Sequence, residues 1–364
     1  MPSSNNADNF LTLIRLGIGH HSGALPESID WADMESMAAR HGLSAILIDG
    51  VENLPESLRP SKMMLLQWIG EVLQNYEQRY VLYHRAVAEM AAWYNSHGFK
   101  MMVLKGYACS LNWPRPDHRP CGDIDIWQFG QQKTADAVLA KERGIKIDSS
   151  HHHHTVFYWR DFMVENHYDF DNIYARKSNR EIEPILKNLG KDNSYFVEMS
   201  DASTNSETKV YLPSPNLHAL FLLRHMTGHF VGSEINLRQV LDWGFFVEKH
   251  TKEIDWNWLL GVLDVYHMKE FFNCINAICV EDLSFEARFF PYVQFSPTLK
   301  DKVFADILGP VFTAKEPNGL IKRLLYKYRR WKGNAWKQDL CYEESRCSSF
   351  LTGVWAKLLK PSSF

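Results

Sequence analysis

Between Met101 and Trp127 the chain reads Met-Met-Val-Leu-Lys-Gly-Tyr, then a loop broken by prolines, then Cys-Gly-Asp-Ile-Asp-Ile-Trp. This pattern leaves little freedom. An apolar run that turns at Lys105-Gly106 predicts a strand over Lys100–Leu104 and a short helix over Gly106–Leu111. Trp113 to Pro120 cannot be regular, because Pro114, Pro116 and Pro120 interrupt it. Asp123–Trp127 is then a second strand. Residues i and i+2 of a strand share a face, so Asp123 and Asp125 project together while Ile124 and Ile126 point into a core. Two carboxylates held side by side repel each other, and a divalent cation is the usual reason to tolerate that.

The flanks organise around this stretch. Residues 7–95 carry helical periodicity. Asp30 is an N-cap for a helix over Trp31–His41 that stops at Gly42, and a longer helical region runs from Pro60 to Asn95. After Trp127 a helix over Thr134–Arg143 stops at Gly144, and Ile145–Asp148 reads as a third strand. Thr155–Trp159 and Met163–Phe170 form a β-hairpin. The polar segment Lys191–Glu207 reads as a loop, and Lys209–Leu212 as a further strand. From Pro213 on the pattern is helical: Ser214-Pro215 to His229, Asn236 to Glu248, Trp256 to Val265 and Glu270 to Ile278, with weaker helices near 298–307, 318–331 and 348–359. The expected class is α+β, a small mixed sheet flanked by helices. A chain of 364 residues is long enough for more than one domain. The expected division is an N-terminal helical region over 1–98, a core over 99–212 and a C-terminal helical domain over 213–364.

The formal net charge of −3 gives no reason to expect a polyanionic partner. The run from Tyr326 to Lys337 mixes bases and aromatics, as single-stranded nucleic-acid surfaces do. With that net charge, an ordinary amphipathic helix is the better reading, and nucleic acid is not expected as a partner. The six cysteines are scattered without a Cys-x-x-Cys pair, which argues against a zinc ribbon or a disulfide framework and for a reducing, cytoplasmic setting. No signal peptide and no apolar run long enough to span a membrane are visible.

The chemistry-bearing residues cluster in the middle of the chain. Mg2+ binds through one or two carboxylates plus substrate phosphates, and a two-metal site needs a further acid. Glu165, on the second arm of the hairpin, is the candidate third acid, and His167 shares its face. Gly106 frees backbone amides to approach a triphosphate, and Lys105 adds positive charge. Arg119 has two readings, a substrate contact or a solvated loop arginine. His225 and His229 lie four apart on one helix face, which is metal-ligand spacing, but no third ligand is evident. His151–His154 reads as a polar strand start able to bind zinc adventitiously.

Taken together, Val103-Leu104-Lys105-Gly106, Arg119-Pro-Cys-Gly-Asp-Ile-Asp-Ile126 and Val164-Glu165-Asn166-His167 resemble the uncharacterised nucleotidyltransferase family of bacteria. Within the wider class they resemble the superfold shared by DNA polymerase beta and kanamycin nucleotidyltransferase. The similarity runs from about residue 10 to 250. It implies that Asp123 and Asp125 hold a catalytic Mg2+ (or Mn2+), with Glu165 as third acid. It also implies that Lys105, Gly106, Gly122, Arg119 and His167 line the nucleotide. Asn166 departs from the aliphatic residue usual after the acid. The implied reaction moves a nucleoside monophosphate from a nucleoside triphosphate such as ATP to an unidentified acceptor, with release of pyrophosphate. Two rival readings are a catalytically inactive nucleotide-binding or regulatory module of the same fold, and a metal-dependent hydrolase built on the histidines.

Overall fold

The computed structural model describes residues 4–21, 23–201, 206–291, 295–309 and 319–345. The helix expected near 348–359 lies outside them. The chain divides into two compact units. One is made of the described residues of Ile69–Phe221 with Lys252–Ile254; the other takes the described residues up to Trp68, Leu222–Thr251 and those from Asp255 to Ser345.

The first unit holds a six-stranded mixed sheet. Its strands are β1 (Met102–Val103), β2 (Ile124–Trp127), β3 (His154–Trp159), β4 (Phe162–His167), β5 (Phe196–Asp201) and β6 (Ser206–Tyr211). Their spatial order is β3-β4-β2-β1-β6-β5. β1 pairs antiparallel with β2 and parallel with β6, and β2 runs parallel to β4. A hairpin closes each edge, β3-β4 on one side and β5-β6 on the other. One face of the sheet is apolar because alternate residues point to it. Val103, Ile124, Ile126, Phe157, Trp159 and Val164 meet Tyr83, Val87, Met90 and Tyr94 of the helix Arg79–Ser96, and Ala135 and Leu139 of the helix Gln132–Arg143. The acidic residues of β2 and β4 are left for the other face.

Several expectations shift in detail. β1 is shorter than Lys100–Leu104, although Tyr211 N–H to Met101 O and Leu104 N–H to Asp125 O, each 2.9 Å, extend its pairing. Ile145–Asp148 is not a strand. Only Asp148 forms a bridge, to Val156, and its side chain accepts Ser150 N–H at 2.9 Å, a turn that ends the extension. The segment expected as a loop over Lys191–Glu207 instead contains β5, whose six residues pair with β6. The helix Lys177–Gly190 had no counterpart in the sequence reading; it carries Pro184 in its interior. The long helix ahead of β1 starts at Lys62, after Pro60, and passes through a π-helical turn at Leu73–Gln78.

The second unit is helical. Asp30 Oδ1 accepts from Ala32 N–H and Asp33 N–H, and Gly42, at φ 67°, closes the helix Trp31–His41 by donating to Ala38 O and Ala39 O. The helix Leu237–His250 opens on a capping box between Asn236 and Gln239. The basic and aromatic tail forms the helices Leu320–Gly333 and Ala335–Cys341. Lys337 does not extend a basic surface there: it is 1% exposed and pairs with Asp306 at 2.5 Å. Among the described residues no helix is long and apolar enough to cross a membrane.

Candidate functional site

The parallel pairing of β2 with β4 sets the site. Asp125 stands opposite Glu165 and Trp127 opposite His167. Because Ile124, Ile126 and Val164 point into the core, Asp125, Glu165 and His167 share the other face. Their ligand atoms lie within 4.8 Å of one another. Antiparallel pairing of β3 with β4 adds His154, whose register partner is His167. Asp123 lies one residue before β2 and is half-buried. Its carboxylate is not a member of this group.

Asp125 is the electrostatic centre. Its Oδ1 accepts from Lys105 Nζ at 2.8 Å and lies 3.0 Å from His167 Nε2. Burial alone would raise its carboxyl, but Lys105 and His167 outweigh burial and hold it well below the usual carboxylate range. Lys105 is affected in the matching sense: burial would lower its ammonium, and Asp125 and then Asp123 raise it instead. Glu165 goes the other way, raised first by burial and then by the neighbouring Asp125 charge. Two carboxylates side by side therefore divide their tasks, one firmly ionised and one readier to take a proton. Burial and nearby positive groups push His153 down to about 2 and His154 down to about 3, so both imidazoles are neutral.

Gly106 ties the lysine turn to the acidic strand. It sits at φ 53°, ψ −100°, and a Cβ there would come within 2.2 Å of Tyr83 Oη. That hydroxyl donates to Asp123 O at 3.0 Å. Glycine is thus required both by backbone conformation and by the approach of Tyr83, which pins the entry to β2. The helix that follows, Tyr107–Ser110, has only four residues, so the dipole contribution expected from it is small.

The other expected residues are placed variously. Arg119 is buried, not solvated, at 5% exposure, and it donates to Pro120 O at 3.2 Å. Gly122 is exposed, and a Cβ there would meet nothing within 4 Å. His225 and His229 face each other, Nε2 to Nε2 at 3.1 Å, with His229 Nδ1 3.0 Å from Ser233 Oγ. Among the described residues they belong to no group of three metal-ligating side chains. Asn166 does not interrupt β4. It lies on the core side, where its amide donates to Gln128 Oε1 at 2.9 Å and Asp136 Oδ1 at 2.8 Å, and Thr155 Oγ1 donates to Asp136 Oδ2 at 2.7 Å. The sequence carries a hint of this network only in hindsight: a polar residue at an inward position needs a polar partner.

The sheet is mixed, and its acidic residues meet across parallel strands beside a lysine-glycine turn. The model of a family described as uncharacterised nucleotidyltransferase matches residues 27–283, and the chain belongs to that family. Among functionally curated proteins none matches it in sequence. One solved structure that is similar is an antigenic nucleotidyltransferase-like protein from Paracoccidioides brasiliensis. It is 12% identical, with a TM-score of 0.32, over 56% of this chain and 92% of that one.

Proposed function

We propose that the protein transfers a nucleoside monophosphate from a nucleoside triphosphate to an acceptor hydroxyl of a small molecule, sugar or protein, releasing pyrophosphate. The observation that carries this reading is the register of Asp125 with Glu165 across β2 and β4. The donor set fits a hard divalent cation, because two carboxylates from neighbouring strands converge within ligand reach. Asp125 and Glu165 would hold the ion, with Asp123 at the strand entry completing the set. Bound there, Mg2+ or Mn2+ supplies charge neutralisation for the triphosphate and lowers the pKa of the acceptor hydroxyl.

The chain's own residues do the rest. Glu165, raised above an ordinary glutamate, accepts the proton of the acceptor hydroxyl. The freed oxygen attacks the α-phosphorus, and the bond to the β-phosphate oxygen breaks. Lys105, held charged beside Asp125, supplies a cation at the edge of the site for the triphosphate. Gly106 permits the φ 53° turn that follows Lys105. His167 orients Asp125 through the 3.0 Å contact. The test is calorimetric titration of nucleoside triphosphates with Mg2+, followed by a pyrophosphate-release screen over hydroxyl acceptors. The reading predicts Mg2+-dependent binding that Asp125→Asn removes. Binding with turnover supports the enzyme; binding without turnover over a broad acceptor set favours the inactive-module alternative.

A further inference from the structure

Next to the acidic pair, the same sheet face presents His153 and His154, which the proposed transfer does not use, within ligand reach of His167, whose Nε2 also lies 3.0 Å from Asp125 Oδ1. We propose that His153, His154 and His167 form a metal site beside the carboxylate pair, for a divalent transition-metal ion of the zinc type. Nitrogens of the three imidazoles lie within 4.8 Å of one another. The His153 and His154 rings are 4.3 Å apart between centroids, and His154 and His167 5.3 Å. A zinc ion with bonds of about 2.0–2.1 Å to imidazole nitrogen holds its ligand atoms roughly 3.4 Å apart. Small side-chain rotations close the remaining gap.

Burial and missing partners point the same way. His154 is 6% and His167 3% exposed, and neither the His153 Nδ1 nor the His154 Nδ1 has a hydrogen-bond partner. Buried polar nitrogens nearly always find one, and a metal ion would satisfy these. The site also has the supports a metal centre needs. His167 Nδ1 lies 3.2 Å from Asp169 O, the backbone-carbonyl contact that fixes the tautomer of a ligating histidine. Tyr168 N–H and Asp169 N–H both donate to His153 O, at 3.0 and 3.1 Å, and Tyr168 Oη donates to His151 O at 2.7 Å. The histidine run is thereby fastened to the end of β4 and is not a loose polar strand start.

The donor type selects the ion. Imidazole nitrogen suits zinc and its first-row neighbours, whereas Mg2+ takes oxygen. Glu165 borders both groups, its Oε1 3.8 Å from His154 Nε2 and its Oε2 3.7 Å from His167 Nε2. It can supply the fourth, anionic ligand, and Lys105 is already paired with Asp125.

The experiment measures zinc alone, without nucleotide, so its outcome is independent of the transferase reading. Full-length protein stripped with a chelator is titrated with Zn2+ against a chromophoric competitor. X-ray absorption then counts the imidazole ligands of the bound ion. The expected result is one Zn2+ per chain on three imidazoles. His153→Ala and His154→Ala should each weaken it at least about tenfold, whereas Asp125→Asn and the pair His225→Ala with His229→Ala should retain it. Circular dichroism checks folding, and His153→Ala, at the more accessible position, decides the matter if His154→Ala does not fold. Failure of the wild type to retain zinc overturns the proposal. So does zinc binding that survives both histidine substitutions, or that only Asp125→Asn removes.

Discussion

At the scale of single residues, the Lys105–Asp125 pair decides how the site behaves. Asp125 is 1% exposed, and removing either partner takes the 2.8 Å ion pair from a charge held in a desolvated position. Lys105→Met and Asp125→Asn should each cost about 3 kcal/mol in urea unfolding. The double variant should cost clearly less than the sum, because the cost comes from the unpaired charge. Gly106 offers a second test. Gly106→Ala should destabilise by about 1–3 kcal/mol, since it combines a strained φ with overlap onto Tyr83 Oη. Tyr83→Phe removes that hydroxyl, so Gly106→Ala should cost less in a Tyr83→Phe background. Thermal melts of the four proteins check this.

At the scale of elements, polar residues turned inward hold strands and helices in register. Asn166→Ala would leave Gln128 Oε1 and Asp136 Oδ1 without their donor and should cost about 1–3 kcal/mol in chemical denaturation. In the helical unit, Leu237 N–H donates to His41 Nδ1 at 3.3 Å, a contact that needs the neutral imidazole. Burial first, then Arg40, lowers His41 to about 4, against about 6.5 in the unfolded chain. The sign follows from linkage: below 6.5 the unfolded state takes up the proton that the folded state refuses. His41 therefore contributes stability above about pH 6.5, and that contribution falls away down to about pH 4. It amounts to at most about 3 kcal/mol. Urea midpoints from pH 4 to 7, wild type against His41→Gln, should show a flatter acid limb in the variant.

Elements with local signals were legible. Asp30 and Gly42 bounded their helix, and the alternation of Ile124, Asp125 and Ile126 assigned both faces of β2. β5 was not legible, because its pairing with β6 depends on a partner and it lies within a segment rich in Ser, Thr, Asn and Asp. Ile145–Asp148 had a strand's pattern but no neighbour to pair with beyond Val156. The candidate site was half visible. Asp125, Glu165 and His167 come together across β2 and β4, whereas the carboxylate of Asp123, expected beside Asp125, is not among them. The salt bridge from Lys105, the burial of Arg119 and the placement of His154 beside His167 all depend on strand order and register, which no local pattern encodes.

At the scale of the whole molecule, the family match over residues 27–283 extends well beyond the sheet-bearing segment. The family therefore includes helical sequence on both sides of the candidate site. The central claim is that Asp125 and Glu165 together support nucleotidyl transfer. Calorimetric titration of the four nucleoside triphosphates with and without Mg2+, on wild type, Asp125→Asn and Glu165→Gln, tests it most directly. The account predicts that at least one triphosphate binds the wild type only with Mg2+, and that each substitution weakens this binding at least about tenfold, or about 1.4 kcal/mol. Triphosphate binding that ignores both Mg2+ and the two carboxylates, or no binding at all, would contradict it.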